Sequence, residues 1–185
     1  MAGLAYGSGR QALLEAAIRV VAREGLRGLT YRAVAAEAGV THGSVRYHFG
    51  DWNTLVEEAL VFCAERSVKG AELTSDQPGF EEFASGLVSL VAAAPEAQAF
   101  QYELTLEARR RPELRSAMER VNDTYRAAVH RELARNGLTD PDLAEVVFAT
   151  IDGLVFHQTA FGNTARTERA VNALRSLLSA SARAE

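Results

Sequence analysis

The side chains best suited to recognition chemistry lie close together in residues 41–48, which read THGSVRYH. Arg46 carries a planar guanidinium that can donate two hydrogen bonds to O6 and N7 of guanine, worth about 1–3 kcal/mol of discrimination. The same group can instead bind a phosphate, and the sequence leaves both roles open. Tyr47, His48 and the earlier Thr30 are better suited to phosphate oxygens, which fix position rather than sequence.

The other residues of this segment are small or polar. Gly43 has no side chain, so the backbone there can approach a duplex closely. His48 has a second interpretation, as a packing residue against the preceding helix. The candidate DNA contacts in this segment and its lead-in are Thr30, Thr41, His42, Gly43, Ser44, Arg46, Tyr47 and His48.

The residues around this segment predict a helix-turn-helix. Thr30 is the expected N-cap of a helix over 31–38, and Thr41 caps the next helix. Gly39 lies between them, where the chain needs a positive φ to leave the first helix. A helix-turn-helix places its second helix in the major groove, so residues 41–48 are predicted to read DNA. Small and apolar residues fill the predicted interior: Val34, Ala35, Val40, Val45 and Phe49.

The remaining sequence predicts more helices and no strand. Apolar residues recur at helical spacing between glycines, prolines and capping residues. The predicted ranges are 10–23, 51–68, 80–94, 95–109, 112–136, 140–161 and 166–182. The fold class is therefore all-α, with an N-terminal three-helix helix-turn-helix head and a C-terminal helical bundle. We predict a DNA-binding domain over 1–50 and an effector-binding and dimerisation domain over 51–185, connected by helix 51–68 as a lever.

Charge is distributed unevenly along the 185 residues, whose net charge is −4. Residues 1–56 carry six arginines and four acids, and the rest carries fourteen basic and twenty acidic residues. A mildly basic head on an acidic body is typical of a DNA-binding domain joined to a domain with another task. A single cysteine, Cys63, and the lack of a signal peptide or a membrane-spanning run predict a cytoplasmic protein.

The helix predicted over 140–162 is apolar on most of its circumference. Such a helix should be buried on two faces. With the helix over 166–182 it can form a four-helix interface with a second copy of the chain, or it can be the central helix of a monomeric bundle. We favour the homodimer, because a helix-turn-helix usually needs two copies to read enough base pairs.

The C-terminal region also carries candidates for binding a small molecule. Aromatic residues at helical spacing are more often core than pocket, but polar groups in apolar helices cost free energy unless they have a partner. Asp152 and His157 are such groups, and they can line either a cavity or the dimer interface. The natural ligand is a mostly apolar organic molecule with one or two polar handles. The candidate ligand contacts are Phe100, Glu103, Tyr125, Phe148, Asp152, Phe156 and His157.

Other classes of function find little support in the sequence. The four histidines are scattered without metal-ligand spacing, and there is no nucleophile elbow or phosphate-binding glycine loop. We therefore predict no enzyme, no metal site and no cofactor. The alternative to a regulator is a helical dimeric module that binds small molecules without specific DNA recognition, but such a module would have no use for exposed Arg46, Tyr47 and His48.

The N-terminal third of the chain resembles the TetR/AcrR family of bacterial transcription regulators. The resemblance implies nine helices, a homodimer through the last two, and an effector pocket in the C-terminal domain. A ligand-responsive regulator, most often a repressor, would bind a palindromic operator and leave it when a small molecule binds. The matching residues are Arg10, Leu13-Leu14, Ala16-Ala17, Gly25, Leu29-Thr30, Val34-Ala35, Ala38-Gly39-Val40, Gly43-Ser44, Tyr47-His48-Phe49 and Leu55.

Two positions depart from that family's pattern. Arg46 stands where the family usually has the first of two aromatic residues. Trp52 stands where the family commonly has a lysine that grips a phosphate at the start of the fourth helix. The indole N–H of Trp52 can still donate a hydrogen bond, so we include Trp52 among the predicted DNA contacts. The positive charge of the lysine is absent there, and we expect Arg46 to make part of the phosphate contact instead.

Overall fold

The computed structural model describes residues 6–183, so the outermost ends of the two predicted domains lie outside the described range. This part of the chain contains nine α-helices and no strand, which confirms the predicted all-α fold. The first four are α1 (Tyr6–Glu24), α2 (Tyr31–Ala38), α3 (His42–Phe49) and α4 (Trp52–Gly70). The others are α5 (Leu87–Ala93), α6 (Pro95–Glu107), α7 (Pro112–Arg135), α8 (Pro141–Phe161) and α9 (Thr164–Ala182).

Capping residues set the ends of the two short helices α2 and α3. The Thr30 hydroxyl accepts a hydrogen bond from the Ala33 amide, and the Thr41 hydroxyl accepts one from the Ser44 amide. Gly39 has a φ of 68° and ends α2 in the left-handed conformation, which costs glycine little. Val34 and Val45 are fully buried between these helices and their neighbours. The helix-turn-helix forms where the sequence predicts it.

The chain divides into two compact units. Residues up to 63 together with 99–120 form the first, which we call the head unit. Residues 64–98 with 121 to the C-terminus form the second, the bundle unit. The helices α4 and α7 each continue from one unit into the other. The head unit therefore contains, besides the helix-turn-helix, most of α6 and the first part of α7.

One predicted helix is much shorter in the structure. The sequence predicts a helix over 80–94, but α5 begins only at Leu87, and residues 80–86 form turns and bends. Ala84 has a positive φ of 57°, which breaks a helix at that point. A side chain at Gly86 would collide with the carbonyl oxygen of Gly70 at the end of α4. The tertiary contact thus overrides the local helical pattern.

The bundle unit has its own core. Phe80, Phe83 and Leu87 pack in one apolar cluster with residues of α7, α8 and α9, including Val147 and Leu178. α8 and α9 also pack against each other. The segment before α5 is held without a helix because its two phenylalanines are nearly fully buried there.

Candidate DNA-binding surface and effector region

The third helix divides cleanly into a buried side and an exposed side. Val45 and Phe49 are buried, which fixes the rotation of α3 in the head unit. Thr41, His42, Gly43, Arg46 and Tyr47 are exposed, and the side chain of Tyr47 projects so far that 74% of it is accessible. Five of the predicted DNA contacts therefore share one accessible surface.

Arg46 offers its full donor capacity to a ligand. Within the described residues its guanidinium makes no hydrogen bond and no ion pair, so all five N–H donors are available. Gly43 is equally open: a side chain built on it would meet only the Thr41 hydroxyl, at 3.8 Å. A helix surface with a free guanidinium and an uncovered backbone is suited to the edges of bases in a groove.

The three hydroxyls near this surface are already used in local hydrogen bonds. Thr30 accepts from the Ala33 amide at 3.1 Å, and Thr41 accepts from the Ser44 amide at 3.3 Å. The oxygens of Thr41 and Ser44 lie 3.1 Å apart, so one hydroxyl donates to the other. The Thr30 hydroxyl keeps its proton for donation, which is what a phosphate contact requires.

His48 is half-buried, between the two roles that the sequence leaves open. Its ring stands edge-to-face against Tyr47, with 5.5 Å between ring centroids, and lies 6.3 Å from the ring of Phe49. Its backbone carbonyl accepts a hydrogen bond from Arg10 on α1. The backbone of His48 is thus tied to the first helix, while its ring orders the exposed Tyr47.

Tyr31 lies beside the same surface. Its hydroxyl donates to the carbonyl of Gly50 at 3.2 Å, which links the start of α2 to the turn after α3. Burial and the nearby carboxylate of Asp51 raise the pKa of Tyr31, whereas Arg46 lowers it. The phenol therefore stays protonated near neutral pH and continues to donate to Gly50.

Trp52 uses its only hydrogen-bond donor inside the head unit. The indole N–H donates to the carbonyl of Leu29 at 3.1 Å, and the ring is half-buried. Arg111 places its guanidinium carbon 5.5 Å from the centre of the indole ring. A phosphate contact from the indole N–H, as the sequence predicts, would have to break the bond to Leu29. Trp52 joins the start of α4 to the residue that precedes Thr30.

Arg10 is a positioning residue whose role the sequence does not show. Its guanidinium forms two hydrogen bonds with the carboxylate of Glu58 on α4, donates to the carbonyl of His48, and lies 4.6 Å from the centre of the Phe49 ring. Its partners are 38 and 48 residues away in the chain, so no local pattern could reveal them. Arg10 joins α1, the end of α3 and α4.

Replacing Arg10 by alanine is expected to lower the free energy of unfolding by about 1–2 kcal/mol, because the pair with Glu58 is partly exposed and screened. It should also weaken DNA binding, since the end of α3 loses its tie to α1. Thermal unfolding and a mobility-shift titration measure the two effects. Gln11→Ala, which replaces the exposed neighbouring residue on α1, is the control. Equal results for the two variants would contradict the positioning role.

Asp51 caps α4 through its ionised form. Its carboxylate accepts from the Thr54 amide at 2.9 Å and from the Thr54 hydroxyl at 3.0 Å. These two bonds, the amide first, lower the pKa of Asp51. The stabilisation is therefore fully present above the unfolded-state pKa of about 3.9 and is lost as the pH falls through the lower folded-state value.

Comparing the wild type with Asp51→Asn across pH tests this cap. The wild type should melt at a higher temperature than the variant at pH 7. The difference should begin to shrink below about pH 4 and disappear only when the pH has fallen through the lowered pKa of Asp51, where its carboxyl is neutral in the folded state as well. Thermal unfolding followed by circular dichroism gives both curves. A difference that stays constant down to about pH 3 would contradict the titration of Asp51 as its source.

The seven candidate ligand contacts do not all share one environment. Phe100 and Glu103 belong to the head unit, where Phe100 is fully buried and Glu103 is exposed. Glu103 lines a cavity of about 320 Å³, together with Leu106, Glu107, Arg109 and Arg110. Tyr125 and Phe148 are half-buried beside the core of the bundle unit. The other three, Asp152, Phe156 and His157, are exposed on α8.

The exposed side of α8 and α9 is unusually apolar for a surface. Val146, Phe156 and Phe161 on α8 and Leu177 on α9 are between 44% and 72% exposed. The ring of His157 lies edge-to-face to Phe156 and tilted to Phe161, with ring centroids 5.9 Å and 5.5 Å away. We call these four apolar residues, together with His157, the α8–α9 face. Large apolar residues left this exposed on one pair of helices are candidates for an interaction site.

Two further observations concern sites of other kinds. No three His, Cys, Asp or Glu side chains between residues 6 and 183 are grouped so that they could hold a metal ion. None of the helices in this range has the length and apolar character needed to cross a membrane.

Comparison with known families gives matches to both parts of the chain. Residues 13–59 match the family described as bacterial regulatory proteins, tetR family. Residues 78–180 match the family described as tetracyclin repressor-like, C-terminal domain. Together these ranges include the helix-turn-helix and most of the bundle unit.

Individual relatives agree with these matches. The HTH-type transcriptional repressor AcnR of Corynebacterium efficiens is 30% identical to this chain over 130 residues. These residues are 69% of this chain and 65% of AcnR, so the match spans slightly less than two thirds of that repressor. The multidrug binding protein EbrR, solved with imidazole, is 30% identical with a TM-score of 0.67, covering 91% of this chain and 93% of EbrR.

EbrR has also been solved with proflavin and with ethidium, with TM-scores of 0.56 and 0.63 to this chain. A TetR-family regulator from Rhodococcus sp. superposes with a TM-score of 0.80 at 22% identity, covering 94% of this chain and 99% of that one. At that identity the likeness describes the fold alone.

Proposed function

Because the chain belongs to the TetR family of bacterial transcription regulators, we propose that it is a repressor that binds a palindromic operator as a homodimer and is released by a small molecule bound in its C-terminal domain. The observation that carries the DNA-binding part is the accessible surface of α3. It presents Arg46 without a partner among the described residues and Gly43 without cover. AcnR, which is named a repressor, supports repression over activation.

We assign the nine predicted DNA contacts to two tasks. The front of α3 enters the major groove, where Arg46 reads a base and the backbone at Gly43 passes close to the bases. Phosphate contacts on either side come from Thr30 and Tyr47. Trp52, whose indole N–H is bonded to Leu29, supports them by holding the start of α4 in place. His42, Thr41 and Ser44 complete the face of α3, and His48 orders Tyr47 from behind.

The second copy of the chain is proposed to dock on the α8–α9 face. A pair of helices from each subunit then forms a four-helix bundle, in which Phe156 and Leu177 are removed from water. Asp152 and His157 are exposed on a single chain. That exposure supports a place for both in the subunit interface rather than in an enclosed cavity.

The effector is proposed to be a small, mostly apolar molecule with one or two polar handles. EbrR supports an aromatic class, since it has been solved with imidazole, proflavin and ethidium. Proflavin and ethidium are cationic aromatic molecules, and the exposed carboxylate of Glu103, on the wall of the cavity beside α6, can pair with such a charge. The half-buried rings of Tyr125 and Phe148 offer aromatic surface in the bundle unit.

Release from DNA requires two states that the effector distinguishes. In the DNA-bound state the two reading helices lie one DNA turn apart, about 34–36 Å. The effector favours another spacing, passed on by α4, which runs from the head unit into the bundle unit. The free energy by which the effector weakens DNA binding equals the difference between the effector's binding free energies for the DNA-bound state and for the released state.

Selection of genomic fragments by the wild-type protein, followed by footprinting, tests this proposal. The expected product is an inverted repeat whose half-sites are about 10 base pairs apart, centre to centre, or a multiple of that. A thermal-shift screen with proflavin, ethidium and neutral aromatic compounds then identifies ligands, because a molecule that binds the folded state raises the melting temperature. Recovery of random fragments without a shared motif would overturn the operator proposal.

A further inference from the structure

The connection between α6 and α7 carries three consecutive arginines, Arg109, Arg110 and Arg111. It lies outside the helix-turn-helix, yet it belongs to the head unit, which includes residues 99–120. The contact between Arg111 and Trp52 fixes one end of this connection against the first residue of α4. Arg111 therefore lies against the start of α4, which directly follows the helix-turn-helix.

Arg111 lies at the same edge of the head unit as a predicted phosphate contact. Its guanidinium stacks on the ring of Trp52, 5.5 Å from the ring centre. The indole N–H of Trp52 is bonded to the carbonyl of Leu29, and the next residue is Thr30, the N-cap of α2. A continuous path of touching groups thus runs from Arg111 through Trp52 to the start of α2.

The three arginines differ in how far their charge is already neutralised. Arg110 pairs with Glu107 at 3.4 Å, and both Arg109 and Arg110 line the cavity that also contains Glu103. Arg111 is not part of that cavity lining and has no ion pair in the described part of the chain. The nearest acid in sequence to Trp52 is Asp51, whose carboxylate is occupied by Thr54. Arg111 keeps a net positive charge at this edge.

We propose that Arg111 binds a phosphate of the operator backbone next to the one contacted by Thr30, and so extends the DNA-binding surface beyond the helix-turn-helix. A guanidinium suits this task because its planar fork matches a phosphate with two hydrogen bonds. Stacking on an indole holds the guanidinium in place before DNA arrives, which lowers the entropy cost of binding. The positive end of α2, which is capped by the neutral Thr30, favours an anion at the same edge.

This phosphate contact gives the ligand-binding part of the chain a direct influence on DNA affinity. The same connection that carries Arg111 also carries Arg109 and Arg110, which line the cavity with Glu103 and Glu107. A ligand that moves this connection also moves Arg111 relative to the operator. The inference rests on the proposed function, because it needs specific DNA binding to exist.

The salt dependence of operator binding tests the inference. The slope of log affinity against log salt concentration falls by about 0.9 for each phosphate that the protein no longer neutralises, so Arg111→Gln should reduce it by about 1.8 in a dimer. Arg111→Lys keeps the charge and should keep most of the slope. Arg131→Ala removes an exposed arginine near the other end of α7 and should leave the slope unchanged.

The outcomes separate this inference from the proposed function. If wild-type protein binds the operator specifically and Arg111→Gln has an unchanged slope, the phosphate contact is wrong and the regulator stands. A lower affinity with an unchanged slope also contradicts the phosphate contact, since it shows only a packing effect on Trp52. Wild-type protein that does not distinguish operator from random DNA overturns both.

Discussion

Replacing Arg46 by alanine is expected to remove base discrimination at one position of each half-site while leaving the fold intact. The loss should be about 1–3 kcal/mol per half-site, since a bidentate arginine–guanine contact has that value. The melting temperature should not change, because Arg46 makes no side-chain hydrogen bond or ion pair with the described residues. Competition with operators mutated at each position, measured by fluorescence anisotropy, gives the discrimination directly.

Arg46→Lys separates the two roles that the sequence leaves open for this residue. Lysine keeps the positive charge but cannot form the planar fork of donors. If Arg46 reads a base, the lysine variant loses discrimination at that position and keeps most of its non-specific affinity. If the variant retains the wild-type preference at every position, Arg46 binds phosphate only. Arg131→Ala serves as the control for removal of an exposed arginine.

Placing a charge on the α8–α9 face should lower operator affinity by as much as replacing Arg46, or by more. Leu177→Glu is expected to produce monomers, because the side chain is 67% exposed on one chain and would be buried without a partner in the proposed dimer. The monomer should still fold. Operator affinity should fall by about 10²–10⁴-fold, since linking two reading heads multiplies the affinity of either alone by that order.

Analytical ultracentrifugation and mobility shift measure the two consequences. The matched control is Val61→Glu, which places the same charge at a valine that is 46% exposed on α4 in the head unit. This control should remain dimeric. A dimeric Leu177→Glu with normal operator affinity would show that the α8–α9 face is not the subunit interface.

The helix-turn-helix could be predicted from the sequence because the residues that define it lie close together in the chain. Thr30, Gly39 and Thr41 are capping residues at the spacing that a helix-turn-helix needs, and the structure gives each of them that role. The all-α fold and the resemblance to the TetR family are confirmed, and the ligand-responsive DNA-binding activity remains a proposal. The alternative, a module without DNA recognition, is not favoured by these matches.

The features that the sequence could not predict depend on contacts between distant residues. Arg10 joins three helices through partners far along the chain, and the indole of Trp52 is committed to Leu29. The helix predicted over 80–94 is wrong in its first half, because Ala84 has a positive φ and Gly86 lies directly against the carbonyl of Gly70 at the end of α4. Helical periodicity describes one element at a time and carries no information on such approaches.

The ligand contacts remain predictions for a related reason. Their choice depends on burial, and burial of a polar residue on an amphipathic helix cannot be read from its own sequence. Asp152 and His157 illustrate this, since α8 is apolar around most of its circumference, yet both residues are exposed on a single chain. In the proposed dimer their environment would include the second copy of the chain, so the oligomeric state decides it.

A paired titration tests whether this chain recognises a specific DNA sequence. Wild-type protein is titrated against a fluorescent duplex that contains the selected inverted repeat, and against the same duplex with its sequence shuffled, at one fixed salt concentration. We predict binding to the repeat that is at least about 10³-fold tighter than to the shuffled duplex. Equal affinity for the two duplexes would contradict specific recognition.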